Sequence, residues 1–320
     1  MHVASPVGIT APPGQGAALF IAPAVAGVEN VLAAVSRARS VRSVVMTSST
    51  ASVAGDNWER GRDHIYTEDD WNLTSTADSG PYSASKREAE RRAWALHAAA
   101  AAAAGEGWRL VTICPSFIMG PPAGARAGGG GQAGAATLGT HPNGERRLGH
   151  TPALTTHTHT HLPPPPPPSG KLGGEPAKFY TDLLTGKFWP AAPNLCLSYA
   201  DLDDVAAAHT LALVTPSASG RYIVSAESAP MVPFIREALL PRFKAYWLPA
   251  VPAPRWLLWI VVVCLKLFPG DMLAASLDKP VRFSAARAER ELGLVLHSPK
   301  KALADACERV LELGLVPRRG

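Results

Sequence analysis

The sequence has few cysteines, no cluster of positive charge and no recognisable leader at its first residues. Its four cysteines are scattered without a Cys-x-x-Cys spacing, which favours reduced thiols over a disulfide framework. The net charge is only +5 and no lysine or arginine run dominates, so nucleic-acid binding has little support. The first residues lack a basic segment followed by a clean apolar core, so no secretory signal is visible. Together these absences favour a cytoplasmic protein.

Long apolar runs are also missing. The most apolar stretch, residues 256–265, is much shorter than the roughly 20 residues of a bilayer-spanning helix. No transmembrane span is therefore expected; we interpret the stretch as a buried or pocket-lining helix, with a weak membrane-surface contact at 256–268 as the alternative. With 47% hydrophobic and 18% charged residues, the 320-residue chain can bury the core of one large or two small domains.

A helix that begins near Gly80 and Pro81 is predicted to carry Tyr82 and Lys86. The two side chains are four positions apart, so they lie on one face of the helix. An ammonium group beside a phenol favours the phenolate and should lower the pKa of Tyr82 toward working pH, where general acid–base catalysis is most effective. Because a Tyr-x-x-x-Lys spacing occurs by chance in many helices, the surroundings decide whether the pair has a chemical role.

Two predicted strands flank this helix. Residues 41–50 form a β-branched run that ends in hydroxyl residues, as expected for a buried parallel strand that delivers small polar side chains to a cleft. Residues 108–114 form a second strand, which Pro115 follows directly. The order is therefore a strand with serine, a helix with tyrosine and lysine, and a strand with proline.

The remaining pattern predicts several further elements. Residues 197–206 indicate a strand that feeds a helix capped by Asp203 or Asp204. The other expected elements are a loop at 14–20, a helix at 23–39, a capped turn at 66–72, a strand at 220–224, and amphipathic helices at 283–293 and 300–314.

The order of motifs resembles the extended short-chain dehydrogenase/reductase family, within the NAD-dependent epimerase/dehydratase superfamily, and most closely its dihydroflavonol-reductase-like branch. The resemblance implies an α/β fold with an incomplete Rossmann-type parallel sheet and a small C-terminal substrate domain. Residues 1–120 would form a partial dinucleotide-binding domain with the catalytic helix. Residues 175–320 would hold the remaining Rossmann elements and the substrate-binding subdomain, and 121–174 fall outside the resemblance.

The resemblance implies an NAD(P)-dependent oxidoreductase that reduces a ketone or aldehyde, or oxidises the alcohol. Tyr82 would exchange the proton with the substrate oxygen, and Lys86 would lower the pKa of the tyrosine and hydrogen-bond the nicotinamide ribose. Ser49 would hold the carbonyl oxygen, with Ser48 and Thr50 as substitutes if the register differs by one. No metal is implied.

Further residues of the resemblance would contact the cofactor, with NADP favoured over NAD. Residues 1–7 resemble a run that ends the fourth strand in the family and touches the cofactor. Besides Tyr82 and Lys86, the expected contacts are Val3, Ala4, Pro115, Ser116, Phe117 and Ile118.

The glycine-rich turn of dinucleotide-binding folds has no counterpart in the sequence. No Gly-x-Gly-x-x-Gly follows a strand, and the glycines at 128–131 have neither a strand before them nor a helix after them. The first strand, this turn and the residues that choose NAD or NADP would lie upstream of Met1. We therefore expect the chain to be a fragment of a longer protein; the alternative is a non-catalytic remnant that acts as a binding or scaffold protein.

The segment 121–174 is rich in Gly, Ala, Pro, Thr and His, and includes alternating histidines at 157–161 and a proline run at 163–168. Such a composition cannot bury enough apolar surface to fold, so we expect a disordered insertion. The histidines would splay apart in an extended chain, which argues against a metal site.

Departures from the family patterns limit the substrate. Ala54 stands where plant dihydroflavonol reductases carry an asparagine that contacts the flavonoid. Residues 79–86 replace the cinnamoyl-CoA reductase signature, and Thr50-Ala51 lacks the acidic pair of the dehydratases. Simple carbonyl reduction is favoured, and a sugar-nucleotide epimerase or a 3β-hydroxysteroid dehydrogenase stays open. The substrate, the cofactor choice and the oligomeric state, including a homodimer, are not determined by the sequence.

Overall fold

A computed structural model describes residues 11–12, 14–38, 40–104, 108–122, 175–259 and 270–319. The helices are α1 (Ala22–Arg37), α2 (Pro81–Ala104), α3 (Glu175–Leu184), α4 (Leu202–Val214), α5 (Met231–Leu239), α6 (Arg255–Trp259), α7 (Gly270–Ser276), α8 (Ala286–Leu292) and α9 (Pro299–Glu312). The strands are β1 (Ser43–Thr47), β2 (Arg109–Pro115), β3 (Phe117–Met119), β4 (Ala191–Ala192), β5 (Cys196–Asp201), β6 (Gly220–Val224), β7 (Glu227–Pro230) and β8 (Val251–Pro252). A π-helical turn (Ala17–Ile21) precedes α1, and a 3-10 turn (Thr50–Ser52) follows β1.

The central sheet of the described residues is parallel, with the order β1-β2-β6. Its middle strand, β2, is buried over its whole length except at Arg109, which agrees with a parallel strand covered on both faces. All three strands end at the same edge, because Thr47 pairs with Ile113 and Pro115 pairs with Val224. This edge is where ligands bind in open α/β sheets.

Helices cover both faces of the sheet. Val44 and Met46 face one side and pack in a cluster with residues of α1 and α2, namely Ala24, Val28, Leu32, Ala89 and Ala93. Val45, between them in sequence, faces the other side and packs in a cluster with residues of α4 and α8, namely Val205, Ala208, Ala212, Ala288 and Leu292. Because successive side chains of a strand point to opposite faces of the sheet, β1 contributes to two apolar clusters. The α/β class with a parallel sheet is confirmed.

A third apolar cluster lies in the C-terminal part of the chain. It joins α3, α5 and α9 to a small mixed sheet in which β5 pairs parallel with β3 and antiparallel with β7. The short strands β4 and β8 form a separate parallel pair. The small C-terminal domain was predicted in this part of the chain, and its boundaries stay a prediction.

Three local predictions were wrong. The loop expected at 14–20 contains the π-helical turn, because Phe20 is buried and extends α1 along α2. The helix expected from residue 283 begins at Ala286, because Phe283 instead forms a bridge and a ring contact with Tyr66. The N-cap of α4 is Asp201, whose carboxylate accepts from the Asp203 backbone N–H at 2.8 Å. Neither Asp203 nor Asp204 is the cap, because both already lie in the first helical turn.

Among the described residues, one helical segment, Ala17–Arg37, is long and apolar enough to cross a membrane by length and composition, although no span was predicted. In the structure its Ala24, Val28 and Leu32 pack against the sheet and α2. This packing accounts for the apolar stripe of the helix within the fold.

Several sequence predictions lie outside the described residues. They concern Val3, Ala4, residues 123–174 with their glycines and histidines, and residues 260–269.

Candidate active site

The start of α2 places the tyrosine and the lysine. Gly80 has a positive φ of 75°, a conformation that suits glycine, and Pro81 opens the helix where a missing N–H costs nothing. Tyr82 and Lys86 then lie one turn apart, with the Lys86 Nζ 5.5 Å from the centroid of the Tyr82 ring. The predicted juxtaposition of these two side chains is present.

The end of β1 brings a serine to the tyrosine. The Ser49 hydroxyl lies near enough to Tyr82 to lower the pKa of its phenol, and its Oγ accepts from the Ala51 backbone N–H at 3.1 Å. Ser49 is therefore both the cap of the 3-10 turn and a neighbour of the phenol. Ser48 instead lies against α2 in the interior, where its hydroxyl donates to Glu90 at 2.6 Å. Of the two serines, Ser49 is thus the one that accompanies Tyr82 in the structure.

The pKa values of the pair depart from the expectation. Burial raises the pKa of Tyr82, and the hydrogen bond to Ser49 only partly offsets this effect. Burial lowers the pKa of Lys86. The pKa of Tyr82 was predicted to fall because of Lys86. It does not, because the effect of burial on the phenol is the larger one.

The segment after β2 carries an unsatisfied polar group and exposed apolar side chains. The Ser116 N–H donates to the Val224 carbonyl at 3.0 Å, while within the described part of the chain its buried hydroxyl has no hydrogen-bond partner. Phe117 and Ile118 expose 43% and 36% of their surface although they are apolar. In the same described residues, no hydrogen bond or ion pair reaches the Lys86 ammonium group. A polar and apolar ligand at the strand ends would engage these groups.

A buried ionic network adjoins the site, and the sequence analysis missed it. Glu90 lies one turn beyond Lys86 and is fully buried. Its carboxylate accepts from the Ser48, Ser52 and Thr112 hydroxyls and from Arg221 Nε at 2.9 Å. The only signal in the sequence was a glutamate at the next four-residue interval of α2, together with an arginine inside an apolar strand.

The charge of Glu90 is maintained by its partners. Burial alone would raise the pKa of Glu90, but the charge of Arg221 and the hydrogen bonds from Arg221, Ser48 and Ser52 hold the pKa below its usual value. Beside it, burial and the charge of Glu90 raise the pKa of the Cys114 thiol to about 12. The network is therefore an ion pair rather than a neutral cluster, and Cys114 is unreactive within it.

The turn at 66–72 is part of this network rather than a surface feature. Arg221 donates to the carbonyl oxygens of Glu68 and Asp70, and its guanidinium lies 3.9 Å from the centroid of the Trp71 ring. The Glu68 carboxylate accepts from the Ile223 N–H at 3.0 Å. The acidic and aromatic residues of the turn thus stabilise the central sheet.

Sequence comparisons found a family model and reductases to which this chain is similar. Residues 1–130 match the model of the NAD dependent epimerase/dehydratase family. An anthocyanidin reductase ((2S)-flavan-3-ol-forming) of Vitis vinifera is 28% identical over 253 residues, which are 78% of this chain and 60% of the relative. Cinnamoyl-CoA reductase 1 of Arabidopsis thaliana is 28% identical over 98% of this chain and 68% of the relative. The chain thus spans about 60% of the length of the first of these relatives.

Solved structures agree with the fold. Yeast methylglyoxal/isovaleraldehyde reductase Gre2, complexed with NADPH, superimposes with a TM-score of 0.65 at 19% identity, over 98% of this chain and 76% of that one. MoeE5 in complex with UDP-glucose and NAD gives 0.57 at 16% identity, over 96% of this chain and 78% of that one. The Rossmann-type fold is confirmed, as is the resemblance to extended short-chain reductases of the dihydroflavonol-reductase-like branch.

Proposed function

We propose that this chain carries the catalytic residues of an NAD(P)-dependent oxidoreductase that reduces a ketone or aldehyde, or oxidises the corresponding alcohol. The observation that carries the proposal is the placement of the Ser49 hydroxyl and the Lys86 ammonium group beside Tyr82, while no carboxylate of the described residues is paired with Lys86. Three residues from two elements converge at the edge of the sheet where ligands bind. A purely structural role would not require a half-buried lysine without a carboxylate beside it.

Each residue has a distinct role in this proposal. Tyr82 donates a proton to the substrate oxygen as the carbonyl is reduced, and accepts it in the reverse direction. Ser49 donates a hydrogen bond to the same oxygen and orients the substrate. Lys86, whose ammonium group lies over the Tyr82 ring, hydrogen-bonds the cofactor ribose. The bound nicotinamide cofactor supplies or accepts the hydride.

The segment from Pro115 to Ile118 would border the nicotinamide. The unsatisfied Ser116 hydroxyl would gain a partner, and the exposed Phe117 and Ile118 would be covered. Both effects favour binding, because an unpaired buried hydroxyl and exposed apolar surface are each costly. NADP is favoured over NAD, since the Gre2 structure holds NADPH.

The substrate class is a simple carbonyl compound. The names of the two curated relatives support a reductase over a sugar-nucleotide epimerase. Ala54 lacks the amide of the flavonoid-binding asparagine, and residues 79–86 replace the cinnamoyl-CoA reductase signature, so neither a flavonoid nor a cinnamoyl thioester is favoured as substrate. An epimerase would convert its substrate without net consumption of NADPH, which separates the two activities in one assay.

The test is Tyr82→Phe in the full chain, assayed by NADPH consumption with a panel of ketones and aldehydes. We expect turnover to fall by roughly 100- to 10,000-fold, because the general acid is lost, while the Kd for NADPH changes little. Tyr246→Phe is the matched control, since it removes a hydroxyl that bonds only to the Pro317 carbonyl and the Arg319 N–H among the described residues of the C-terminal cluster. Unchanged turnover in Tyr82→Phe would contradict the proposal. A wild-type chain that binds no dinucleotide would support the non-catalytic alternative.

A further inference from the structure

Helix α2 and the turn after β1 meet at two points. At the first, the Ser49 hydroxyl lies near Tyr82 and lowers the pKa of its phenol. At the second, two turns further along α2, the Glu90 carboxylate accepts from Ser48 at 2.6 Å and from Ser52 at 2.5 Å. Ser48 and Ser52 lie on either side of Ser49 in the sequence. The second connection therefore holds the same turn that presents the Ser49 hydroxyl to Tyr82.

Ser52 contacts both Glu90 and Ser49. Its hydroxyl lies 2.7 Å from the Ser49 carbonyl oxygen as well as 2.5 Å from Glu90 Oε2. It also accepts from Arg221 Nη2 at 3.0 Å. Ser52 is fully buried, so water does not compete for these contacts.

Arg221 anchors Glu90 to the rest of the fold. The guanidinium bonds both carboxylate oxygens, at 2.9 and 3.2 Å, from strand β6. It is held in turn by the backbone of the 66–72 turn and by the Trp71 ring. The carboxylate thus has little freedom to move, and its orientation is set by β6 rather than by α2 alone.

We propose that Glu90, fixed by Arg221, is a positioning residue that sets the alignment of Ser49 with Tyr82 for proton transfer. The proposal rests on the proposed carbonyl-reductase function. Glu90 does not touch the substrate oxygen; it acts through the hydroxyls of Ser48 and Ser52. A displacement of the catalytic hydroxyls by about 1 Å costs roughly 100-fold in rate, so such a support has a measurable effect.

Two buried hydroxyls provide a matched comparison. Ser52→Ala removes one of the two hydroxyls that link Glu90 to the catalytic turn, the one that also contacts the Ser49 carbonyl oxygen. Thr112→Val removes a hydrogen bond of similar length, 2.7 Å, from the same carboxylate to the middle of β2. Both side chains are fully buried, so both changes remove one buried hydroxyl. Only the first lies on the path to Ser49.

The first readout is kinetic. In Ser52→Ala we expect kcat to fall by roughly tenfold or more, with little change in the Kd for NADPH, because alignment and not cofactor binding is lost. In Thr112→Val we expect kcat close to that of the wild type. Equal loss of kcat in the two variants would mean that Glu90 only stabilises the fold, which would overturn the proposal.

The second readout does not need turnover. Tyrosine-selective NMR follows the titration of Tyr82, whose signal is assigned by its loss in Tyr82→Phe. We expect the titration of Tyr82 to move to higher pH in Ser52→Ala, because the Ser49 hydrogen bond weakens, and to stay unchanged in Thr112→Val. Lys86, which faces the Tyr82 ring, is the same in both variants. Identical Tyr82 titrations in the wild type and Ser52→Ala would overturn the proposal.

The two proposals fail in different ways. Absence of wild-type turnover with every carbonyl compound would refute the proposed function, while the NMR comparison would still test the role of Glu90. If Ser52→Ala does not fold, Ser48→Ala replaces it, because its hydroxyl donates to the same Glu90 oxygen. The expected direction is the same in both readouts, and a Tyr82 titration unchanged by Ser48→Ala would count against the proposal.

Discussion

At the scale of single residues, two opposing effects act on the Tyr82 phenol. Burial raises its pKa and the hydrogen bond to Ser49 lowers it, with burial the larger effect. In a reduction the phenol must be protonated, so a raised pKa maintains the active form over a wide pH range. In the oxidation of an alcohol the phenolate is needed, and the same raised pKa shifts activity to higher pH.

Ser49→Ala tests this balance through the pH dependence of alcohol oxidation. Without the hydrogen bond that lowers it, the pKa of Tyr82 should rise further, and the rising limb of kcat/KM should move to higher pH. The measurement is kcat/KM against pH in the oxidative direction. Ser43→Ala, at the opposite end of β1, is the control because its hydroxyl accepts from Arg109 far from the sheet edge. If the rising limb of kcat/KM moved to lower pH in Ser49→Ala, Ser49 would not be the group that lowers the pKa of Tyr82.

At the scale of secondary structure elements, the start of α4 depends on a residue that still belongs to a strand. Asp201 ends β5 with an extended backbone (φ −78°, ψ 140°) and caps α4 with its carboxylate. The next two acidic residues, Asp203 and Asp204, are already helical. Sequence patterns place caps only within a residue or two, because three aspartates in four positions offer the same chemistry.

Asp201→Ala should lower the free energy of unfolding by about 1 kcal/mol, because the N–H of Asp203 loses its acceptor. Asp203→Ala should cost only about 0.3 kcal/mol, since it removes the weak attraction of an exposed carboxylate for the helix N-terminus. Urea unfolding followed by circular dichroism measures both values. A larger loss of the free energy of unfolding in Asp203→Ala than in Asp201→Ala would show that Asp203, as predicted from the sequence, is the N-cap.

At the scale of the whole molecule, the Glu90–Arg221 ion pair connects α2, the end of β1, the middle of β2, strand β6 and the 66–72 turn. Both side chains are almost fully buried. Their interaction offsets a large cost of removing two charges from water, so the pair as a unit contributes less to stability than the loss of one partner would suggest. Its main effect is to specify how these elements meet.

Single substitutions of the pair should each lower the free energy of unfolding by about 3–5 kcal/mol, because each leaves an unpaired buried charge. For Glu90→Leu and Arg221→Met, the double variant should lose less than the sum of the two single losses. Urea unfolding of the wild type, the two single variants and the double variant gives the coupling free energy between Glu90 and Arg221. Additive losses would show that the two charges do not depend on each other.

Features that depend on neighbours along the chain follow from the sequence alone. The four-residue spacing of Tyr82 and Lys86, the β-branched strands and the resemblance of their order belong to this group, because helical and strand periodicity is local. Three-dimensional packing was needed to show that Ser49 rather than Ser48 meets Tyr82, and that burial raises the pKa of the tyrosine. The same is true of the pairing of Glu90 with Arg221, 131 positions away. Burial and long-range ionic contacts arise when distant segments pack together, and no local pattern encodes them.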